Sequence, residues 1–369
     1  MVNRLARRAF LRGSLLAAGS ALAAACAPTT PPAAGAAPAA GGPAAPAASG
    51  PTATAAPAAG AGQALPKARV GIIAGVLENA FLQLGVERGL FRDAGVDVEI
   101  LEFQDGGTEL RALLANEIDL MDGGPQAVFP AIEKGSAVRL IGASRPKLAF
   151  ALYARREIEQ PSDLYGKDVG IAGPGSFLHL LMLALAQEQG LDASRFNFVN
   201  VGSSPSVFRA VVAGKIAAGP AGVEFLPSLD SGPNVHSLLL FDDVVPSYIR
   251  VGLLARERDV AERPDLLTSL LVGWASANRY GIENKEPWID FVMRKYERTR
   301  QDAEFNWNWE SEHLVPDPNL ELNERAVEYM QTLNLKVGSQ TRILPFDQVA
   351  TRAIQQRAIE RLGRWERKS

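Results

Sequence analysis

The chain has 369 residues, of which 47% are hydrophobic and 21% charged, and its formal net charge is −3 at pH 7. This length fits about two domains, and the composition is that of an ordinary soluble protein. The weakly acidic balance argues against a nucleic-acid partner, which would require a basic face. No apolar run reaches the roughly 20 residues that would span a bilayer.

Residues 1–26 predict an export signal that is not part of the fold. Several arginines precede a short apolar stretch, and "RRAFLR" resembles the twin-arginine signal of bacteria. "LAAAC" resembles a lipobox, although Ala23 stands where Leu is usual, and Cys26 would then carry a diacylglycerol. The alternative is that Cys26 lies by chance near an ordinary cleavage site. We expect lipidation, because Cys26 is the only cysteine and cannot form an internal disulfide.

Residues 27–66 predict a disordered tether. The segment carries no charge and consists mostly of Ala, Pro, Gly and Thr, so it cannot bury enough apolar side chain to become ordered. As a flexible coil it would have an end-to-end distance of about 35 Å. The protein would therefore contact the membrane through its lipid anchor only and could swing on the tether.

From Lys67 the chain alternates between strand-like and helix-like segments. The apolar runs of strand length are, in order, "ARVGII", "VDVEILEF", "IDLMD", "AVRLIGAS" and "FALYAR". Helices are predicted after the first three of them, in "GVLENAFLQLGVERGLF", "DGGTELRALLANE" and "GGPQAVFPAIEKG". Pro130, inside the third of these helices, is expected to kink or shorten it.

The same order restarts at Asp168. The later strand-like runs are "DVGIA", "FNFVNV", "IAAGPAG", "VHSLLLF" and "YIRVGLLAR", and the helices between them are "SFLHLLMLALAQEQGL", "SPSVFRAVVAG" and "VEFLPSL". From Arg263 onward the pattern is helical, in "PDLLTSLLVGWASANRYGIE", "EPWIDFVMRKYER", "ERAVEYMQTLN" and "DQVATRAIQQRAIERLGRW". Strands bounded by helices predict an α/β fold with mostly parallel sheets.

An internal repeat indicates two similar lobes. The sequence "TELRALLANEIDLMDGGPQ" aligns with "SVFRAVVAGKIAAGPAGVE", 98 residues later, so that Arg111 matches Arg209 and Gly124 matches Gly222. Each copy is a helix, a strand and a glycine-containing turn, and two lobes predict a cleft. We expect two crossing strands to join the lobes. Residues 67–152 with 249–369 would form lobe 1, and residues 153–248 would form lobe 2.

Four stretches carry a resemblance to a known family. They are "FLQLGVERGLFRDAGVDVEI", "GGTELRALLANEIDLMDGG", "DLYGKDVGIAGPGS" and "FRAVVAGKIAAG". They resemble the substrate-binding proteins of ABC importers, in the nitrate/sulfonate/taurine group that shares its fold with the thiamine-pyrimidine binders. The resemblance implies a periplasmic-binding-protein type II fold, an ABC transporter permease as partner and a small organic ligand. We expect a monomer without a cofactor or a metal.

Glycine-rich turns mark the predicted ligand site. In an open parallel sheet, ligands collect beyond the carboxyl ends of the strands, where helix N-termini present unpaired N–H groups. The turns at these points supply the predicted ligand-binding residues: Glu78, Asn79, Gly107, Thr108, Gly124, Gln126, Gly175, Ser176, Phe177, Ser203 and Glu224. The alternative for each turn taken alone is ordinary helix capping.

Acidic residues beside the turns indicate the ligand class. A bare oxyanion would require Arg or Lys there, but the sequence places Glu78, Asp105, Asp122 and Glu224 instead. This argues against nitrate or sulfate and favours a ligand with an amine, amidine or aminopyrimidine group. The alternative is that these acids stabilise helix N-termini or form hinge salt bridges. Sulfonates, taurine-like zwitterions, aminopyrimidines and flavin-like rings all stay open as ligands.

Catalytic patterns are sparse, and we predict no catalytic residue. His179, His236 and His313 lack metal-ligand spacing, and the chain has neither a GxxxxGK[ST] loop nor a GxSxG elbow. Relatives of this fold make the thiamine pyrimidine with a cysteine-rich motif, and this chain has no cysteine after Cys26. We therefore expect a binding protein. The alternatives are an enzyme of that type and a sensory binding module that is not coupled to transport.

Overall fold

The computed structural model describes residues 64–231, 234–245 and 247–367. Its strands are β1 (Lys67–Ile73), β2 (Asp97–Phe103), β3 (Leu120–Gly123), β4 (Val138–Arg145), β5 (Phe150–Arg155), β6 (Asp168–Ile171), β7 (Asn197–Asn200), β8 (Ala218–Gly222), β9 (Val235–Leu240) and β10 (Val251–Arg256). The export signal with Cys26, and the tether apart from its last three residues, lie outside the described residues.

Fourteen α-helices are present within the same residues. They are α1 (Ala80–Glu87), α2 (Leu90–Asp93), α3 (Gly106–Leu114), α4 (Pro125–Glu133), α5 (Phe177–Glu188), α6 (Ser204–Val212), α7 (Phe241–Val244), α8 (Glu257–Glu262), α9 (Pro264–Glu283), α10 (Lys285–Tyr296), α11 (Arg300–Glu312), α12 (Glu324–Lys336), α13 (Phe346–Val349) and α14 (Ala353–Leu362). Segments of 3₁₀ helix lie at Leu77–Asn79, Pro161–Leu164, Ala193–Arg195 and Val223–Ser231.

The strands form two five-stranded sheets with equivalent topology. The strand order is β2-β1-β3-β10-β4 in the first sheet and β7-β6-β8-β5-β9 in the second. In each sheet four strands run in one direction, and the fourth strand of the order, β10 or β5, runs against them. The prediction of two mostly parallel sheets flanked by helices is confirmed.

The sequence repeat appears in the structure as a repeat of contacts. Helices α3 and α6 have the same length and begin 98 residues apart. Nη2 of Arg111 donates to the Thr108 hydroxyl at 2.9 Å, and Nη2 of Arg209 donates to the Ser206 hydroxyl at 3.2 Å. The two helices therefore hold the same local geometry in each half of the molecule.

The chain passes from the first sheet to the second after β4 and returns after β9. The backbone N–H of Leu148, in the first connection, donates to the Asp242 carboxylate beside the second connection at 3.2 Å. The predicted lobe limit at 152/153 falls inside β5, which pairs along its whole length in the second sheet. Because β10 runs against its neighbours, its amino end lies at the edge where β4 ends, and Val251 pairs with Arg145.

Helix α4 continues past Pro130 to Glu133. Proline lacks the N–H that would bond to the carbonyl of Gln126 one turn earlier. That carbonyl instead accepts a hydrogen bond from Nδ2 of Asn334, on α12, at 2.9 Å. A side chain from another helix thus replaces the backbone bond that Pro130 cannot make.

Two C-terminal segments differ from the prediction. Helix α11 is absent from the predicted elements, and it covers "RQDAEFNWNWESE". The segment "DQVATRAIQQRAIERLGRW", predicted as one helix, forms two helices, α13 and α14. They are separated because the backbone of Ala350 is extended and forms an isolated β-bridge with Leu140 of β4.

Buried aromatic side chains pack helix α1 against helix α10. Phe81 on α1 is 2% exposed and packs against Trp288 on α10, with ring centroids 5.3 Å apart. Phe81 is therefore a core residue.

Over the residues that are described, no helix has both the length and the apolar character needed to cross a bilayer.

Candidate functional site

A cavity of about 170 Å³ lies where loops from the two sheets meet. Its lining comes from the turn after β1 (75–78), the first connection and its flanks (Arg145, Ala149, Phe150), the start of α6 (Ser204, Pro205), the residues after β8 (Val223, Glu224), Arg250 before β10, and the α11 region (Arg298, Asn306, Glu310). The volume suits a small solute. Both halves of the molecule supply polar groups to it.

Two ion pairs form the cavity wall on the side of the first sheet. Arg145 is 4% exposed and donates from Nη2 to both carboxylate oxygens of Glu310, which is 12% exposed. Arg250 donates from Nη2 to Glu78 at 2.8 Å. The Nε atoms of both arginines are buried and have no hydrogen-bond partner among the described residues. Each guanidinium therefore keeps one donor that is buried and unpaired.

Arg250 is also placed by aromatic rings. Its guanidinium carbon lies 4.3 Å from the ring centroid of Phe177 and 5.7 Å from that of Phe150. The two rings meet edge to face at 4.9 Å. A cation over an aromatic face is attracted by the ring quadrupole, so Phe177 supports the arginine that lines the cavity.

Glu224 is the acid that the second sheet supplies to the cavity. It follows β8, is half-buried and forms no ion pair with the residues that the structure describes. Burial raises its pKa to about 7. The carboxylate of Glu224 folds over Gly222, and the carboxamide of Gln126 folds over Gly124 in the same way in the other repeat. A Cβ at either glycine would require the end of the Glu224 or Gln126 side chain to move away.

Of the two predicted site residues Asn79 and Gln126, only Asn79 fixes backbone near the cavity. Asn79 is 4% exposed and donates from Nδ2 to the carbonyl of Ile73 at 2.7 Å, which holds the turn that presents Glu78. Gln126 has a buried Oε1 without a partner in the described part of the chain. Neither residue lines the cavity itself.

The remaining predicted residues lie at helix N-termini outside this cavity. Thr108 donates its backbone N–H to Asp105 at 2.9 Å and so caps α3, and Gly107 is exposed beside it. Ser176 accepts from the backbone N–H of His179 at 3.3 Å and caps α5. Gly124 and Ser203 are the residues before α4 and α6. Gly175 donates its backbone N–H to Nδ1 of His179 at 2.9 Å.

His179 shows no catalytic arrangement in the described structure. It is half-buried, its Nδ1 accepts the bond from Gly175, and burial lowers its pKa. The described residues contain no group of three or more His, Cys, Asp or Glu side chains placed to hold a metal ion.

A second pair of acids lies behind the cavity. Asp122, at the end of β3, accepts a hydrogen bond from the Ser144 hydroxyl at 2.9 Å, and burial raises its pKa to about 7. Glu109 on α3 is fully buried, and neither of its carboxyl oxygens has a partner among the described side chains and backbone. Burial raises the pKa of Glu109 to about 9, and the neighbouring charge of Asp122 adds to the shift.

The arginines and α11 residues at the site were absent from the predicted set. Arg145 and Arg250 flank the connections between the sheets, whereas the prediction considered only the glycine-rich turns. A charged residue at the end of an apolar strand, as in "AVRLIGASR", was an available signal. For α11, the sequence signal of a helix N-terminus was Thr299 followed three residues later by Asp302. In the structure the Thr299 hydroxyl caps the helix: it accepts from the N–H of Asp302 and donates to the carboxylate of Asp302.

Comparisons with known proteins agree with this fold. The NMT1/THI5-like family model matches residues 78–286. A relative in Brucella abortus, named as a candidate binding protein, is 23% identical over 228 residues, which are 61% of this chain and 70% of the relative. The periplasmic aliphatic sulphonate-binding protein of Escherichia coli is 18% identical with a TM-score of 0.65, over 77% of this chain and 92% of that one.

Two further solved structures show the range of proteins that share the fold. The ligand-binding component of an ABC-type import system from Staphylococcus aureus is 13% identical with a TM-score of 0.64, over 79% of this chain and 99% of that one. The desulfurization enzyme DSZB is 15% identical with a TM-score of 0.56, over 80% and 99% of the two chains. The predicted periplasmic-binding-protein type II fold is confirmed. Most of these similar structures are binding proteins, and one is an enzyme.

Proposed function

This chain belongs to the NMT1/THI5-like family, and from that premise we propose that it is an extracytoplasmic solute-binding protein that delivers a small organic molecule to an ABC importer. The observation that carries the proposal is a small cavity between two equivalent sheets, to which both halves contribute charged groups. Two lobes joined at connections that contact each other can close on a ligand by a hinge motion. In this proposal the protein acts as a monomer by binding and release, with the permease as its partner.

The charges of the cavity favour a ligand that donates hydrogen bonds to a carboxylate. Arg145 and Arg250 are already paired with glutamates, so the first wall is close to neutral. Glu224 on the opposite wall has no such partner, and the exposed Arg298 acts on it only electrostatically. An amine, amidine or aminopyrimidine group would supply the missing partner. Arg298, which lines the cavity and is exposed, would supply the hydrogen-bond donors for an acidic group such as a sulfonate.

Substitution of Glu224 by glutamine tests this ligand class. Loss of the charge removes a charge-assisted hydrogen bond, and we expect affinity for the bound compound to fall about tenfold or more. The measurement is a thermal-shift screen of taurine, short alkanesulfonates, an aminopyrimidine and nitrate, followed by calorimetry on the best compound. Binding at a hundredfold excess over Kd stabilises the folded state by about 2.7 kcal/mol, which such a screen detects.

The matched control is Glu99→Gln, on the exposed edge strand β2, which also removes one negative charge. We expect this variant to bind as the wild type does. The ligand assignment is wrong if nitrate is the best compound and Glu224→Gln leaves its affinity unchanged. The binding function itself is wrong if no compound of any class stabilises the protein and the protein instead turns one over.

The N-terminal cysteine is proposed to anchor the protein outside the cytoplasm. Two acyl chains on Cys26 would hold it at a membrane far better than one. We expect Cys26→Ala, expressed in a bacterial host with twin-arginine export, to move from the membrane fraction to the soluble extracytoplasmic fraction. An unchanged membrane fraction would refute the anchor without touching the ligand site.

A further inference from the structure

Two cations from distant parts of the chain hold the C-terminal end of α11. Lys147, in the first connection between the sheets, donates from Nζ to the carbonyl of His313 at 2.5 Å. Arg367, in the C-terminal tail, donates to the carbonyl of Glu312 at 3.2 Å and to that of Ser311. Carbonyl groups at this end of a helix have no intrahelical partner, and a cation there also interacts favourably with the helix dipole.

The tail that carries Arg367 has a defined place. The backbone N–H of Trp365 donates to Oδ1 of Asn319 at 2.9 Å, and Nδ2 of Asn319 donates to the carbonyl of Trp365 at 3.0 Å. The indole Nε1 of Trp365 donates to Glu283, on α9, at 2.7 Å. These bonds attach Trp365 to Asn319 and to α9. The guanidinium of Arg367 therefore reaches α11 from a backbone that is held in place.

Helix α11 carries two residues of the cavity. Asn306 is 5% exposed and lines the cavity, and so does Glu310, the partner of Arg145. Glu310 immediately precedes the two residues whose carbonyls Arg367 holds. A change at the end of the helix therefore acts on the ion pair within one turn.

We propose that Arg367 is a positioning residue for the cavity, which fixes the last turn of α11 and through it the placement of Glu310 and Asn306. Lys147 also donates to a carbonyl at this helix end, from the first connection between the sheets. The first connection and the C-terminal tail therefore contact the same end of α11. The inference rests on the proposed function only in treating the cavity as a ligand site, because the contacts themselves involve no ligand.

Hydrogen–deuterium exchange of the full chain without ligand tests the proposal. In Arg367→Ala we expect the amides in the last two turns of α11 to exchange about three- to tenfold faster, while those of α9 keep their rates. The Nε–H resonance of Arg145, observed by NMR, should shift at the same time because its partner Glu310 moves. Arg367→Lys retains a cation at the tail and should restore part of the protection.

Arg364→Ala is the matched control. This neighbouring tail arginine pairs with Glu321 on the surface and not with α11, so its loss should leave the α11 amides unchanged. Equal acceleration in α9 and α11 of Arg367→Ala would show a general loss of stability and overturn the positioning role. Unchanged exchange in α11 would overturn it as well. Both readouts are independent of whether any solute binds.

Discussion

Glu310→Gln is expected to lower the free energy of unfolding by about 3 kcal/mol, although the substitution keeps the shape of the side chain. Glu310 neutralises Arg145, whose side chain is 4% exposed. The guanidinium stays charged at every accessible pH, and a carboxamide accepts a hydrogen bond from it without cancelling the charge. In Glu310→Gln the buried guanidinium of Arg145 therefore lacks a counter-charge, and this destabilises the folded state. Denaturant unfolding followed by fluorescence or circular dichroism measures the difference.

Glu304→Gln on the same helix is the control. Glu304 pairs with Arg300 at 2.8 Å, but the two side chains are 40% and 49% exposed. Solvent screens such a pair, so we expect a loss below about 1 kcal/mol. If both variants unfold at the same denaturant concentration, the Arg145–Glu310 pair does not stabilise the fold, and the cavity wall is held by other contacts.

Much of the fold could be predicted because it depends on local patterns that occur twice. The alternation of apolar strands and amphipathic helices gave the sheets, and the matched positions of Arg111 and Arg209 gave their equivalence. The equivalence is also seen in packing, because Gly71 in β1 and Gly170 in β6 each lie against an isoleucine of the repeat. A Cβ on Gly71 would lie 2.6 Å from Cδ1 of Ile118, and one on Gly170 would lie 2.5 Å from Cδ1 of Ile216.

The candidate site was less predictable because it depends on contacts between distant segments. Glu78 and Glu224 follow strands of the repeated units, and their positions could be inferred from strand order. Arg250 reaches the same edge only because β10 runs against its neighbours, and nothing in its local sequence indicates that direction. Glu310 comes from α11, whose aromatic and polar sequence lacks the apolar periodicity that marks the other helices.

One buried position departs from the repeat. Glu109 aligns with Val207, and both residues stand on the same face of equivalent helices. Glu109 packs against Gly71 and Gly123, whereas Val207 packs against Gly170 and Gly219. The first half of the molecule thus holds a carboxyl group where the second half holds a methyl group. Unless that carboxyl is neutral, its burial is costly.

The buried carboxyl makes stability depend on pH, and Glu109→Gln is expected to remove that dependence between pH 7 and 9. Burial raises the pKa of Glu109 to about 9 from an ordinary value of 4.5. Over this interval the folded protein holds a proton that the unfolded chain has released, so stability falls as pH rises. The expected slope is about 1 kcal/mol for each pH unit.

The interval above pH 7 separates Glu109 from the other buried acids. Burial raises the pKa values of Asp122 and Glu224 only to about 7, so their contributions change mainly below that pH. We expect wild type and the surface variant Glu99→Gln to lose stability in parallel between pH 7 and 9, while Glu109→Gln gives a nearly flat line in denaturant unfolding. A glutamine amide at this site lacks partners and will lower stability at every pH, so the slope is the diagnostic quantity. A slope that persists in Glu109→Gln would mean that Glu109 is ionised in the folded protein and that another group holds the proton.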